Sequence, residues 1–189
     1  MCRILIERAG SLLGGLRVDR KAGVIFGVKV LGYKSLNGRL YLPEAVRKAA
    51  PMYEGVHVNI DHPEDGPTEQ RSAYDRFGKL VRVRYIEGKG LFADLEYLVA
   101  HPMASRVVEA AERMPDLFGM SHNAEGEGED NESGIFVINK ITEVRHVDLV
   151  ADPATTRSLS EGVTMSKTSI RNSRKVSEGD YADQKKMEG

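Results

Sequence analysis

Two strand-like segments joined by four turn residues constrain the fold most strongly. Residues 78–86 and 91–98 are rich in β-branched, aromatic and other apolar side chains, and the sequence EGKG (87–90) separates them. Two such runs with a short glycine-containing connection are typical of a β-hairpin. The sequence therefore predicts an antiparallel pair of strands in the middle of the chain.

Further extended segments flank this hairpin. They share β-branched or alternating apolar residues and are bounded by Gly, Pro, Asn or Asp; they comprise residues 24–33, 39–42, 56–60, 117–124, 135–141 and 144–150. Only two segments favour a helix. One is short, opens at Pro43 and is stopped by Pro51; the other, 102–114, has apolar residues at helical spacing. We therefore expect a mainly β protein with a few helices, in the α+β class.

The composition divides the 189 residues into a folded part and a tail. From Arg157 onward the chain is rich in Ser, Lys, Arg, Glu and Asp, and it has too few apolar residues to bury a core. We expect a domain over residues 1–156 and a flexible C-terminal tail over 157–189. The acidic sequence EGEGEDNE (125–132) is expected to form a solvated loop.

Charge and cysteine content exclude several functional classes. The 27 basic and 28 acidic residues give a net charge of -1, and they are interspersed, so no nucleic-acid partner is expected. A single cysteine, Cys2, excludes an internal disulfide framework and a cysteine-based zinc site. No apolar run reaches the roughly 20 residues of a membrane helix, and the charged opening segment is unlike a secretory signal. We expect a cytosolic protein without a membrane partner.

Two residues are candidates for nucleophilic catalysis. Ser121 lies in the sequence FGMSH, where a glycine two positions earlier leaves room near the hydroxyl. A serine needs an adjacent base to become a nucleophile, and the segment lacks the G-x-S-x-G elbow pattern. His62 ends the predicted strand 56–60 and precedes Pro63, which is a rigid position for a general base.

The predicted strand 144–150 adds a polar face. Alternation puts Val147 and Leu149 on one side and His146 and Asp148 on the other. Buried polar groups need partners, so this face is either exposed or part of a site.

A metal site is the alternative for the histidines. His57 and His62 are five residues apart, which is not a helical zinc-binding spacing, and the acidic stretch lacks the ligand spacing of a calcium loop. We expect neither a metal nor another cofactor.

Four segments in order resemble the prohead proteases of tailed bacteriophages, which share a fold with the herpesvirus assemblins. The segments are GVHVNIDHP (55–63), FGKLVRVRYIEGKGLFADL (77–95), FGMS (118–121) and HVDLVADPA (146–154). They are similar to the strand with the catalytic histidine, the following hairpin, the nucleophile segment and the closing strand of that family. The resemblance covers about residues 24–156.

The resemblance implies an assemblin-like closed β-barrel flanked by helices. It also implies a serine endopeptidase in which Ser121 is the nucleophile, His62 the general base and His146 the third catalytic residue. Many phage members have Glu where this chain has His146, whereas the assemblins use a Ser-His-His set. Glu143 and Asp148 remain alternatives for the third position. The family's glycine two residues after the serine is replaced by Asn123.

The same resemblance implies the protein partners. They are the scaffold, the major capsid protein and the protease itself, which are cleaved inside proheads assembling in the host cytoplasm. A homo-oligomer is expected by analogy with the assemblins. The tail 157–189 is either a linker to a scaffold or self-cleavage segment, or an ordinary disordered terminus. There are two alternative hypotheses for the function. One is a non-catalytic capsid-assembly protein on the same fold. The other is a metal-dependent hydrolase, which the ligand spacing favours less.

Overall fold

The computed structural model describes residues 16–35, 37–63, 70–151 and Leu159. The strands are β1 (Val18–Asp19), β2 (Val24–Leu31), β3 (Arg39–Tyr41), β4 (His57–Ile60), β5 (Arg76–Ile86), β6 (Gly90–Tyr97), β7 (Gly119–Asp130) and β8 (Phe136–Val150). The α-helices are α1 (Pro43–Ala49) and α2 (Ala104–Arg113), and two short 3-10 helices span Ala50–Tyr53 and Ala73–Asp75. The described chain is therefore mainly β with two short α-helices, as the sequence predicts.

All eight strands belong to one mixed sheet, in which the path β1-β2-β6-β5-β4-β8 runs across the molecule. Strand β8 is the longest and pairs with β7 along its length. Its other edge holds β3 near its start and β4 near its end, and both of these run parallel to it. Every other pair is antiparallel. Strand β8 thus joins the elements that carry the candidate catalytic residues.

The predicted hairpin is present as β5 and β6, with Leu80 opposite Leu95 in the register. Both of these leucines are fully buried. Gly90 begins β6 with φ +109°, and a Cβ there would lie 2.1 Å from the carbonyl oxygen of Leu31. This position therefore needs glycine, both for its backbone angle and for its close approach to β2.

The two helices cover parts of the sheet. Helix α1 begins at Pro43, which suits the first helical position because it has no N–H to leave unsatisfied. Helix α2 buries Val107, Val108 and Ala111, which lie on one face at helical spacing. Met114, predicted to end that apolar face, instead follows the helix and is 40% exposed. No helix among the described residues is long and apolar enough to cross a membrane.

The sheet is open, so the closed barrel that the resemblance implies is wrong. In the described part of the chain, no ladder joins β7 to β2 or β1. The backbone N–H of Lys29 in β2 instead donates to the carbonyl oxygen of Leu159, with an N–O distance of 2.9 Å. A hydrogen-bonding position on β2 is thus occupied by Leu159, which lies beyond the last described strand in the sequence. A continuous strand partner would be needed to close the barrel.

The acidic sequence predicted to be a loop is largely strand. Residues 125–130 continue β7 and pair with β8. Glu125 forms an ion pair with Arg145, and Glu127 forms one with Lys140 at 3.0 Å, so charges of opposite sign face each other across the two strands. Such cross-strand pairs stabilise a sheet. The alternating acids are therefore balanced by bases on β8, which the local composition of the acidic segment does not reveal.

The boundary predicted at residue 156 is untested, because 152–158 and 160–189 lie outside the described residues. The end of the fourth family-like segment (152–154) and nearly all of the predicted tail belong to those residues. Leu159 is described and is fully buried in the hydrophobic core. Core packing therefore includes at least one residue that the sequence assigns to the tail.

Candidate active site

Three polar residues lie side by side across β4, β8 and β7. The register pairs Asp148 of β8 with Asn59 on one side and with Ser121 on the other. Directly opposed residues in an antiparallel pair face the same side of the sheet, with Cβ atoms about 4.5–5.5 Å apart. The Cβ atoms of Ser121 and Asp148 are therefore neighbours on one face of the sheet, although the two residues are 27 positions apart in the sequence.

His62 reaches this row from the end of β4. Its Nδ1 lies 2.9 Å from Oδ2 of Asp148. The Asp148 side chain is only 1% exposed, whereas that of His62 is 58% exposed. A carboxylate accepts the hydrogen bond, so Nδ1 carries the proton and Nε2 of the neutral ring is left as the basic nitrogen. The site thus has a buried carboxylate holding an accessible imidazole.

Asp148 receives a second hydrogen bond on its other oxygen. Nδ2 of Asn59 donates to Oδ1 over 3.1 Å, and both residues are buried. A buried carboxylate is costly unless its oxygens are bonded. Asn59 was not identified as a site residue from the sequence, although alternation in the strand VHVNI puts it on the face opposite Val58. The sequence signal that could have identified Asn59 was therefore a polar residue at a buried position of this strand.

Of the three residues considered for the third catalytic position, Asp148 contacts His62. His146 lies beside the same carboxylate oxygen that His62 contacts, with Nε2 at 3.4 Å from Oδ2 of Asp148 and a side chain that is 10% exposed. Burial lowers the pKa of His146, an effect that the Asp148 charge opposes. Glu143 is 54% exposed and lies 3.7 Å from Nε of Arg145. The expected contact between His146 and His62 is thus replaced by contacts of both rings with Asp148.

His122 follows Ser121 and points to the opposite face of β7. Its Nε2 lies 2.9 Å from the hydroxyl of Tyr41, and its Nδ1 lies 2.6 Å from the hydroxyl of Tyr53. Burial lowers the pKa of His122 to about 4, with a smaller contribution from the nearby charge of Arg39. The ring is therefore neutral at pH 7, with one nitrogen donating and the other accepting. These two bonds anchor the strand directly beside Ser121.

The metal-site alternative concerns His57, His62 and the acidic residues 125–132. The described part of the chain contains no group of three or more His, Cys, Asp or Glu side chains arranged to hold a metal ion. His57 lies at the start of β4 and lines a cavity of about 350 Å³ together with Tyr97 and Leu98. The two histidines considered as a pair of ligands therefore have different surroundings.

Comparison with solved structures identifies a protein with a similar fold. The bacteriophage T4 capsid assembly protease, gp21, aligns with 75% of this chain and 90% of its own, with a TM-score of 0.53 and 17% sequence identity. The chain shares the fold of a phage capsid assembly protease. No family model and no curated protein sequence matches the chain. The similarity is thus one of fold, in agreement with the family that the four sequence segments resemble.

Proposed function

We propose that the protein is a serine endopeptidase of the capsid-maturation type. The observation that carries the proposal is the hydrogen bond from His62 to the buried Asp148, whose direct neighbour across the sheet is Ser121. A nucleophile, a base and a residue that orients the base are the three parts of a serine-protease site. The fold shared with a capsid assembly protease supports the same assignment.

In the proposed mechanism, Nε2 of His62 takes the proton of the Ser121 hydroxyl as the oxygen attacks the peptide carbonyl. The same nitrogen then gives the proton to the leaving amine. Asp148 holds the ring in the tautomer that leaves Nε2 free, and its negative charge stabilises the imidazolium ion. This carboxylate is a stronger electrostatic partner than the neutral His146 ring that the resemblance suggests.

Asn59 and His146 support the carboxylate in this scheme. Asn59 bonds the oxygen of Asp148 that His62 does not use, so rotation of the carboxylate about its terminal bond would break one bond or the other. His146 lies on the His62 side of the same group. Neither residue takes part in proton transfer.

The proposed substrates are the scaffold, the major capsid protein and the chain itself, cleaved within assembling proheads in the host cytoplasm. A homo-oligomer is also proposed, by analogy with the assemblins. The second candidate function is a non-catalytic role in capsid assembly. Asn123 favours it, because it replaces a glycine of the family pattern beside the nucleophile.

The test combines a fluorophosphonate probe with intact-mass analysis over time. We expect the wild type to be labelled at Ser121 and to shorten by self-cleavage, whereas Ser121→Ala does neither. Ser105→Ala is the matched control, since Ser105 is an exposed serine of α2. A wild type that resists the probe and stays whole with capsid and scaffold added would favour the non-catalytic role. Equal shortening of wild type and Ser121→Ala would identify another nucleophile or a contaminant.

A further inference from the structure

Arg71 is a buried arginine beside the candidate site with no role in the mechanism above. Its side chain is only 6% exposed. Nη2 donates to the carbonyl oxygens of Ile60 and Asp61, each over 2.7 Å. These are the last two carbonyl groups before His62. A buried guanidinium is costly unless it is well bonded, so its position here calls for an explanation.

The backbone that Arg71 holds is in an unfavourable conformation. Asp61 has φ +55°, in the left-handed region, which residues other than glycine seldom adopt. The N–H of Asp61 donates to the carbonyl of Leu149 in β8, over 3.0 Å. Backbone hydrogen bonding to β8 therefore extends past β4 to Asp61, and the chain changes direction there, just before His62. The two hydrogen bonds from Arg71 hold the carbonyl groups of Ile60 and Asp61 in this turn.

The same guanidinium faces the carboxylate that orients His62. Nη2 lies 3.8 Å from Oδ1 of Asp148, on the side away from His62, and 3.8 Å from Oδ2 of Asp75. At these distances the contacts are electrostatic and are not hydrogen bonds. The Arg71 side chain is thus bonded to the backbone that precedes His62, and it lies close to the Asp148 carboxylate that orients the His62 ring.

We propose that Arg71 is a positioning residue that sets the direction of the His62 ring toward Ser121, an inference that rests on the proposed peptidase function. It does so by fixing the Ile60 and Asp61 carbonyls relative to Asp148. Both bonds come from Nη2, whose two N–H groups are held in the plane of the guanidinium, whereas an ammonium group is a compact point charge on a flexible stem. Lysine at this position keeps the charge but does not fix both carbonyls in the same way.

The experiment compares Arg71→Ala and Arg71→Lys with Arg47→Ala, an arginine whose side chain is 56% exposed. The readout is the rate of Ser121 labelling by a fluorophosphonate probe. A displacement of a catalytic group by about 1 Å costs on the order of 10²-fold in rate, and we expect a loss of that order for Arg71→Ala. Millimolar guanidinium ion should restore labelling in Arg71→Ala and leave Arg47→Ala unchanged.

A second measurement does not depend on activity. In a long-range ¹H–¹⁵N spectrum, the Nδ1–H of His62 bonded to Asp148 gives its own signal. This signal should be present in the wild type and in Arg47→Ala and should weaken or disappear in Arg71→Lys. The measurement thus tests Arg71 even if the wild type proves inert to the probe, which would count against the proposed function alone.

The controls separate positioning from loss of folding. If circular dichroism shows that Arg71→Ala is unfolded, Arg71→Lys carries the test, because it keeps a cation at the buried position. An Arg71→Lys protein with wild-type labelling and a wild-type His62 signal would overturn the proposal. Reduced labelling with an altered His62 signal in a folded protein would support it.

Discussion

Acid should destabilise this protein through His122, well above the pH at which most carboxylates titrate. The pKa of this histidine is lowered to about 4 in the folded protein, whereas an unfolded histidine has a pKa of about 6.5. Between these values the unfolded chain binds a proton that the folded chain does not. Stability contributed by the neutral ring is therefore complete above about pH 6.5 and is lost as the pH falls toward 4.

The magnitude follows from the difference between the two pKa values. A difference of about 2.5 units, at 1.36 kcal/mol per unit, corresponds to about 3 kcal/mol. His122 as a whole is only partly buried, so this value is an upper one. It is nevertheless a large part of the 5–15 kcal/mol by which most domains are stable.

The assay is urea unfolding of the wild type and of His122→Gln at pH 7, 6 and 5. We expect the variant to be less stable at pH 7 by about 1–2 kcal/mol, because it disrupts the bonds to Tyr41 and Tyr53. The difference in unfolding free energy between the wild type and the variant should then shrink as the pH is lowered, because the variant has no ring to protonate between pH 7 and pH 5. His57→Gln, at an exposed histidine, should follow the wild type. Curves for wild type and His122→Gln that stay parallel from pH 7 to pH 5 would refute the reasoning.

Two further substitutions probe the site and the fold. Asp148→Asn should reduce fluorophosphonate labelling of Ser121 by about 10⁴-fold, because the amide favours the wrong tautomer of the His62 ring; unchanged labelling would exclude Asp148 as the orienting residue. Gly90→Ala should lower the free energy of unfolding by more than about 1 kcal/mol, since its Cβ would meet the Leu31 carbonyl at 2.1 Å and the backbone has a positive φ. Urea unfolding measures this loss, and a neutral effect would show that β2 and β6 separate easily at this point.

Local sequence patterns predicted the features whose determinants are themselves local. The β5–β6 hairpin follows from two apolar runs and a glycine-containing turn, and its register buries Leu80 against the core. Alternation in β8 put His146 and Asp148 on one face, and both are indeed buried on it. His62 lies just beyond the end of strand β4, close to where the sequence predicts it.

Features set by distant residues were not predicted. The acidic part of β7 is a strand because Arg145 and Lys140 on β8 balance its charges, and composition within the segment indicates only a loop. Asp148 and His146 are equivalent in the alternation pattern, and the bond of His62 to Asp148 follows a backbone turn at Asp61 that the pattern does not predict. The carbonyl of Asp61 in that turn accepts a hydrogen bond from Arg71, ten residues further along the chain.

Leu159 limits where this chain can be shortened. Its side chain is fully buried, its carbonyl accepts a hydrogen bond from Lys29, and its N–H donates to the carbonyl of Pro115. A product that ended before this residue would lose a core side chain and both of these links, at a cost of about 2–5 kcal/mol for the side chain alone. If the chain cleaves itself as proposed, a cut in its C-terminal part that keeps this core side chain and both hydrogen bonds has to fall after residue 159.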